Sequence, residues 1–222
     1  MHTMANLKNV VIGIMVVSVL FLAGCATDQG GAPGITGRVV SDVDNRVVAT
    51  VNGEEIMQED VTFLKEALLE QGQELSEENI VEQLIMQKLI LGEARNRGYV
   101  PTTEEAEAEL ESQLSLQGMT LDRYRERIES QGVSYEGHIE EVKQDIAVNN
   151  FVASYLERNR PDVSEEDVAE FYAVFEEQNP SQAPPLEDVR EQIVMSLEQQ
   201  KEQEILNSLL ERLRSEAAIV HR

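Results

Sequence analysis

The sequence lacks most of the residue types from which catalytic and metal centres are built. It contains no tryptophan, one cysteine and three histidines among 222 residues, and aromatic side chains make up only 5%. An internal disulfide and a cysteine–histidine zinc site are therefore excluded. Neither a glycine-rich phosphate loop nor a nucleophile elbow occurs. We expect no metal and no cofactor, and His138, beside Glu140 and Glu141, is expected to be a structural histidine, exposed or partly buried.

Basic residues are also scarce. The chain has 18 Lys and Arg against 42 Asp and Glu, a formal net charge of −24. Nucleic-acid binding relies on cations that neutralise phosphates, so a nucleic-acid partner is not expected. With so many acids, carboxylate pairs arise by chance and do not indicate acid–base catalysis. The charge predicts a solvated surface or, as the alternative, an acidic docking patch.

The single cysteine follows an apolar segment near the N-terminus. Lys8 precedes the apolar run Val10 to Leu22, which leads into Leu22-Ala23-Gly24-Cys25. This order predicts a lipoprotein signal peptide over residues 1–24, cleavage between Gly24 and Cys25, and a diacylglycerol on the Cys25 thiol. Two or three acyl chains suffice for stable anchoring. The alternative is an uncleaved anchor helix with a chance cysteine.

Residues 25–45 predict a lipid-anchored, flexible tether. The segment from Ala26 to Asn45 holds four glycines and one proline and shows no sustained periodicity. Asp42 and Asp44 faintly resemble a calcium loop, but the glycine and the distal glutamate of such a loop are missing. The anchored body is thus expected outside the cytoplasm, on the outer face of the cell membrane or on the periplasmic side where a cell has two membranes.

Residues 46–222 predict one mainly α domain. Val47 to Ile56 forms a short strand that turns back at Asn52-Gly53, and Ala218 to Val220 forms a terminal strand that pairs with Val47 to Val51. This pair joins the two ends of the domain. Caps and apolar periodicity predict helices between them, over residues 58–72, 76–97, 102–117, 120–131, 134–159, 164–178 and 185–217.

Two of these helices have distinctive patterns. Helix 76–97 is apolar around more than one face and is expected at the centre of the domain. The last helix, 185–217, carries one apolar stripe near each end, separated by the polar stretch Glu198 to Glu204. The two ends of this helix are therefore expected to pack against other helices, and its middle is expected to be exposed to solvent.

The order of elements resembles the N-terminal chaperone domain of SurA, shared in outline with PrsA-type foldases and, more distantly, with trigger factor. Five segments carry the resemblance: Val48 to Ile56, Glu82 to Leu91, Met119 to Arg125 with Gly132 to Tyr135, Val163 to Tyr172, and Leu186 to Ile193 with Gln199 to Glu204. In such proteins a parvulin-type prolyl isomerase domain usually follows the segment that matches Phe171-Tyr172. Here that gap is only Ala173 to Pro185, so the resemblance implies a chaperone module that is not an enzyme.

A chaperone of this kind needs adaptable apolar side chains on its surface. Methionine and tyrosine suit that role, and the candidate client-binding residues are Met57, Met86, Met119, Tyr124, Tyr135, Tyr155 and Met195. Each of them is also a candidate core residue in a domain without tryptophan. The aromatic residues Phe151, Tyr155, Phe171, Tyr172 and Phe175 are expected to be core.

Three functions remain open at this point. The first is a membrane-anchored holdase that works without ATP and binds unfolded or newly exported polypeptides. The second is a structural or adaptor lipoprotein that docks one specific protein partner. The third is a degenerate prolyl isomerase. The sequence does not indicate an oligomeric state.

Overall fold

The computed structural model describes residues 46–180 and 183–222. The predicted signal peptide, Cys25 and the tether all fall within residues 1–45 and so lie outside the described residues. Seven helices and three strands occupy the described part of the chain. The mainly α fold predicted from the sequence is confirmed.

A β-hairpin begins the described part of the chain. Strand β1, Val47–Val51, turns into β2, Glu54–Met57, at Asn52 and Gly53. Both turn residues have positive φ, 51° and 88°, as the tightest right-twisted hairpin turn requires. The last strand, β3, Ile219–His221, pairs antiparallel with β1, so that Thr50 faces Val220. The sheet order β2-β1-β3 confirms that the two ends of the domain are joined.

The helices begin and end within two residues of their predicted bounds. They are α1 Gln58–Glu70, α2 Glu77–Asn96, α3 Thr103–Ser115, α4 Leu121–Ser130, α5 Tyr135–Arg158, α6 Glu165–Gln178 and α7 Leu186–Glu216. Five of them start at a Ser or Thr whose hydroxyl accepts a hydrogen bond from the backbone N–H three residues later. Such caps satisfy N–H groups that the helix itself leaves unpaired, and therefore fix where each helix starts.

Three separate apolar cores hold the helices together. The first lies where α1, α2, α5 and the C-terminal half of α7 pack under the sheet, around Ile56, Ile80 and Phe151. The second joins α3 and α4 to the N-terminal half of α5, around Leu114 and Ile139. The third joins α6 to the N-terminal half of α7. The long helices α5 and α7 thus each connect a smaller core to the first one.

The two helices with distinctive sequences behave as expected. Helix α2 has buried residues spread around its axis, including Ile80, Gln83 and Ile90, and lies centrally in the first core. Helix α7 buries Ile193 and Leu197 in the third core and Leu206 to Leu213 in the first. Between these stripes, none of residues 198–204 is buried. Within the described residues, no helix combines the length and apolar composition needed to cross a bilayer.

Candidate functional site

The start of α6 is fixed by a reciprocal cap. Ser164 Oγ accepts a hydrogen bond of 3.1 Å from the N–H of Asp167, while Asp167 Oδ2 accepts bonds from the N–H and the hydroxyl of Ser164 at 2.8 and 2.9 Å. Two backbone N–H groups that a helix start leaves unpaired are thereby satisfied. The cap sets the direction in which α6 leaves the preceding loop.

Lys201 ties this cap to the polar middle of α7. Its Nζ donates to Asp167 Oδ2 at 2.8 Å and to the carbonyl oxygen of Asp162 at 2.5 Å. The hydrogen bond from Lys201, followed by those from Ser164, lowers the pKa of Asp167 from 3.8 to about 2. Asp167 is therefore ionised at neutral pH and holds the lysine by charge as well as by hydrogen bonding.

The rest of α6 is held by the third core and by two polar contacts. Val168, 2% exposed, packs with Ile193 and Leu197 of α7. Tyr172 lies against the same core and donates its hydroxyl to the carbonyl oxygen of Pro184 at 2.9 Å. Arg190 of α7 pairs with Glu165. One side of α6 is thus committed to α7.

A second apolar stripe on α6 faces solvent. Phe171, Val174 and Phe175 are 37%, 49% and 36% exposed, and their i, i+3, i+4 spacing places them on one face of the helix. We call these three residues the α6 apolar face. Two phenylalanines and a valine thus form a small, partly exposed apolar surface on a single helix face.

Two open clefts in the described residues have more polar linings than the α6 apolar face. One, of about 610 Å³, lies between α3, α4 and α5 and is lined largely by charged side chains. On its wall, the Tyr135 hydroxyl donates to Glu107 at 2.8 Å, and the Arg125 guanidinium stacks 4.0 Å above the Tyr135 ring. Burial raises the pKa of Tyr135, which keeps the phenol neutral. Glu107, Arg125 and Tyr135 thus contact one another on this wall, while the buried Nε of Arg125 has no hydrogen-bond partner among the described residues.

The other cleft, of about 550 Å³, lies between the α2–α3 connection, α3 and α5. Tyr99, Val100, Pro101 and Ile146 supply its apolar wall, and the remaining lining is mainly carboxylate and amide. No group of three or more potential ligands among the described residues is placed to hold a metal ion.

The seven predicted client-binding residues lie in different parts of the structure. Met86 is buried in the first core, and Tyr124 and Tyr135 are buried in the second. Met57, Met119 and Tyr155 are half-buried. Met195 alone is strongly exposed, at 61%, and it projects from α7 away from the third core. Because the seven do not meet on one surface, a joint role in client binding stays a prediction that would require the cores to open.

The aromatic residues expected to be core separate into two groups. Phe151 is fully buried, its ring centroid 6.0 Å from that of the half-buried Tyr155, and Tyr172 packs on the third core. The prediction is wrong for Phe171 and Phe175, which are exposed. Among the described residues, α6 packs mainly against α7, and α7 covers the stripe of Val168 and Tyr172.

A sequence signal for the α6 apolar face did exist. Phe171, Val174 and Phe175 form a helical stripe beside the Val168 and Tyr172 stripe, so α6 is apolar over more surface than one neighbouring helix covers.

His138 was expected to be an exposed or partly buried structural histidine, and it is partly buried. Its Nε2 lies 2.8 Å from the Tyr124 hydroxyl, and its Nδ1 lies 3.5 Å from Glu141.

Comparisons with known proteins agree with this architecture. The chain is similar to a solved chain from work on the virulence factor PEB4 and the periplasmic protein Cj1289, described as two structurally related SurA-like chaperones of the human pathogen Campylobacter jejuni. The TM-score is 0.59 at 14% identity, and the match covers 80% of this chain and 99% of the other, so the likeness concerns the fold. None of the curated protein sequences matches. Residues 1–152 match the family described as the SurA-like N-terminal domain, and the chain therefore belongs to the SurA-like N-terminal domain family.

Proposed function

We propose that this protein is an extracytoplasmic, membrane-anchored chaperone that works without ATP and holds unfolded or newly exported polypeptides through the α6 apolar face. The observation that carries the proposal is the exposure of Phe171, Val174 and Phe175 on a helix that is otherwise fixed by its cap and by α7. The family and the likeness to SurA-like chaperones support a chaperone role.

The geometry of α6 suits reversible binding of many sequences. An exposed helix face accepts an apolar segment without any opening of the three cores, so binding needs no energy source. Phenylalanine rings offer a large contact area at low conformational-entropy cost. A small, open face gains little free energy from each contact, and this favours rapid release of a client once it can bury its own apolar residues.

The proposed function includes a lipid anchor on Cys25. A lipid on Cys25 would keep the folded body near the membrane from which polypeptides emerge, and a tether of about 20 residues would let it reach roughly 25 Å as a flexible coil. Confinement of this kind raises the effective concentration of the chaperone at its site of action.

Aggregation assays test the proposal. The chain, purified as cells produce it and placed in phosphatidylcholine nanodiscs, should slow the aggregation of chemically denatured test proteins in the absence of ATP. A variant with Phe171, Val174 and Phe175 all changed to Ser should lose most of that protection. The matched control is Phe63→Ser on α1, since Phe63 is 62% exposed but lies outside α6. If both variants protected the test proteins from aggregation equally, the assignment of binding to α6 would be wrong. If the unaltered chain gave no protection, the chaperone role would be wrong.

An adaptor role is the second candidate, because the exposed face is small. Three residues with i, i+3, i+4 spacing also fit the apolar side of a single partner helix. A chaperone should capture many unrelated polypeptides on this face, whereas an adaptor should capture one partner in a fixed ratio. We favour the chaperone role on the basis of the family.

Prolyl isomerase activity does not form part of the proposal. In the proteins that the sequence resembles, the isomerase domain sits between the segments that correspond to α6 and α7. Here α6 continues to Gln178 and α7 begins at Leu186. We therefore expect no acceleration of isomerisation in a proline tetrapeptide assay.

A further inference from the structure

We propose that the α6 apolar face selects polypeptide segments in which apolar residues are flanked by lysine or arginine. This inference rests on the proposed function and names the class of client. It is carried by the charged side chains of α6 itself, all of which are acidic.

Helix α6 carries six acidic side chains and no basic one. Glu166, Glu170 and Glu177 lie on one side of the face, because their spacings of four and seven residues return them to nearly the same angle about the helix axis. All three are exposed. A row of three carboxylates, about 16 Å long, therefore runs beside the apolar face, whose own residues 171–175 span about 6 Å of the helix axis.

These three carboxylates have no compensating cation in residues 46–180 and 183–222. Arg190 and Lys201 are the basic residues that reach α6, and each already binds another acid, Glu165 and Asp167 respectively. No hydrogen bond or ion pair of the described residues involves the side chain of Glu166, Glu170 or Glu177. A basic group from outside the domain would therefore meet three available carboxylates.

The same charges argue against other occupants of the face. A second copy of the chain would bring an identical row of carboxylates and a net charge of −24 toward this one, and like charges repel. A membrane surface with anionic headgroups is disfavoured for the same reason. An extended or helical segment with apolar residues and basic flanks can satisfy both the face and its border.

Peptide binding tests the selectivity. Three fluorescent peptides share one apolar core and differ only in their flanks, which are lysine and arginine, glutamine, or glutamate. With the chain in phosphatidylcholine nanodiscs at low salt, the basic peptide should bind roughly five- to tenfold more tightly than the neutral one, since three exposed ion pairs each contribute little. The acidic peptide should bind most weakly, and high salt should remove the preference.

Two matched variants locate the effect. Glu166→Gln, Glu170→Gln and Glu177→Gln together should abolish most of the preference for the basic peptide. Glu104→Gln, Glu111→Gln and Glu126→Gln together make the same change of net charge at exposed positions on α3 and α4, and this variant should retain the preference. An equal loss in both variants would show that net charge alone attracts the peptide and would overturn the inference.

Failure of this inference and failure of the proposed function give different results. If all three peptides bind equally, and the serine variant of the α6 apolar face weakens all three, the chaperone proposal stands and the charge selectivity is overturned. If no peptide binds to the unaltered chain, both proposals fail.

Discussion

Asn52 and Ala218 join the two ends of the folded domain through a pair of hydrogen bonds. The side-chain oxygen Oδ1 of Asn52 accepts from the N–H of Ala218 at 2.9 Å, and the N–H of Asn52 donates to the carbonyl oxygen of Ala218 at the same distance. Asn52 also occupies the left-handed region, with φ of 51°. One residue thus forms the hairpin turn and holds the strand that follows α7.

Two substitutions separate these contributions of Asn52. Asn52→Gly keeps the positive φ accessible and removes only the side-chain bond, so the free energy of unfolding should fall by about 1 kcal/mol. Asn52→Ala should cost about a further 1 kcal/mol because Ala disfavours the left-handed region. Urea denaturation measures both values. If the Ala variant were as stable as the Gly variant, the backbone conformation would not contribute to the stability of this turn.

Much of the fold was predictable because its signals are local. Ser76, Thr102, Thr120, Ser134 and Ser164 each cap a helix through a bond that spans three residues, and Asn52-Gly53 specifies its own turn. These caps and this turn can be predicted without knowledge of distant contacts. The pairing of β3 with β1 is a long-range contact, and it was predictable because both segments are short and β-branched and lie at opposite ends of one domain.

The separation into three cores predicts different effects at two phenylalanines. Phe151→Ala removes a fully buried ring from the first core and should lower the free energy of unfolding by about 3–5 kcal/mol. Phe171→Ala removes a ring that is 37% exposed and should lower it by only about 1 kcal/mol. Denaturation of the two variants side by side measures the difference. A large loss of stability in the Phe171 variant would show that this residue is covered and would contradict the α6 apolar face.

The Asp167–Lys201 contact predicts a pH dependence in a defined range. The pKa of Asp167 falls from 3.8 to about 2 on folding, so the folded state binds this proton more weakly than the unfolded chain. The ionised Asp167 side chain therefore stabilises the fold fully at pH values above its pKa in the unfolded chain, 3.8. This stabilisation is lost as the pH falls from about 4 to about 2. Asp167→Asn should therefore be less stable than the unaltered chain at neutral pH, and the difference should shrink across that range.

Glu170→Gln is the control for the Asp167 experiment, because Glu170 is an exposed acid of the same helix without an ion pair among the described residues. Because the Glu170 side chain makes no hydrogen bond or ion pair among the described residues, its substitution should change the free energy of unfolding at neutral pH by no more than about 0.5 kcal/mol. Denaturant titrations at a series of pH values measure both variants. A difference between Asp167→Asn and the unaltered chain that stayed constant down to about pH 2 would contradict the lowered pKa.

The candidate site was less predictable than the fold because burial depends on neighbours. Tyr124 and Tyr135 are amphipathic residues suited to a binding surface, yet the second core buries both rings. Phe171 and Phe175 were expected to be core, but α7 offers only one contact stripe and covers Tyr172 instead. A helix pattern shows how many apolar stripes exist. Which of them is covered depends on the number of helices that pack there.

The predicted lipid anchor is tested at one residue. The N-terminal peptide of the unaltered chain should begin at an acylated Cys25, and Cys25→Ser should remove both the acyl chains and the cleavage, which mass spectrometry of that peptide measures. Protection of denatured proteins in solution should be unchanged, because the α6 apolar face lies in a different part of the chain. An unaltered chain that keeps residues 1–24 and carries no acyl chain on Cys25 would favour the uncleaved anchor helix instead.

The central claim is that unfolded polypeptides contact the α6 apolar face, and site-specific photocrosslinking in cells tests it most directly. A photoreactive amino acid at Val174 should crosslink to many unrelated exported polypeptides, whereas the same group at the more exposed Phe63 should capture few. Equal yields at both positions, or a single partner captured in a fixed ratio from Val174, would contradict the chaperone account.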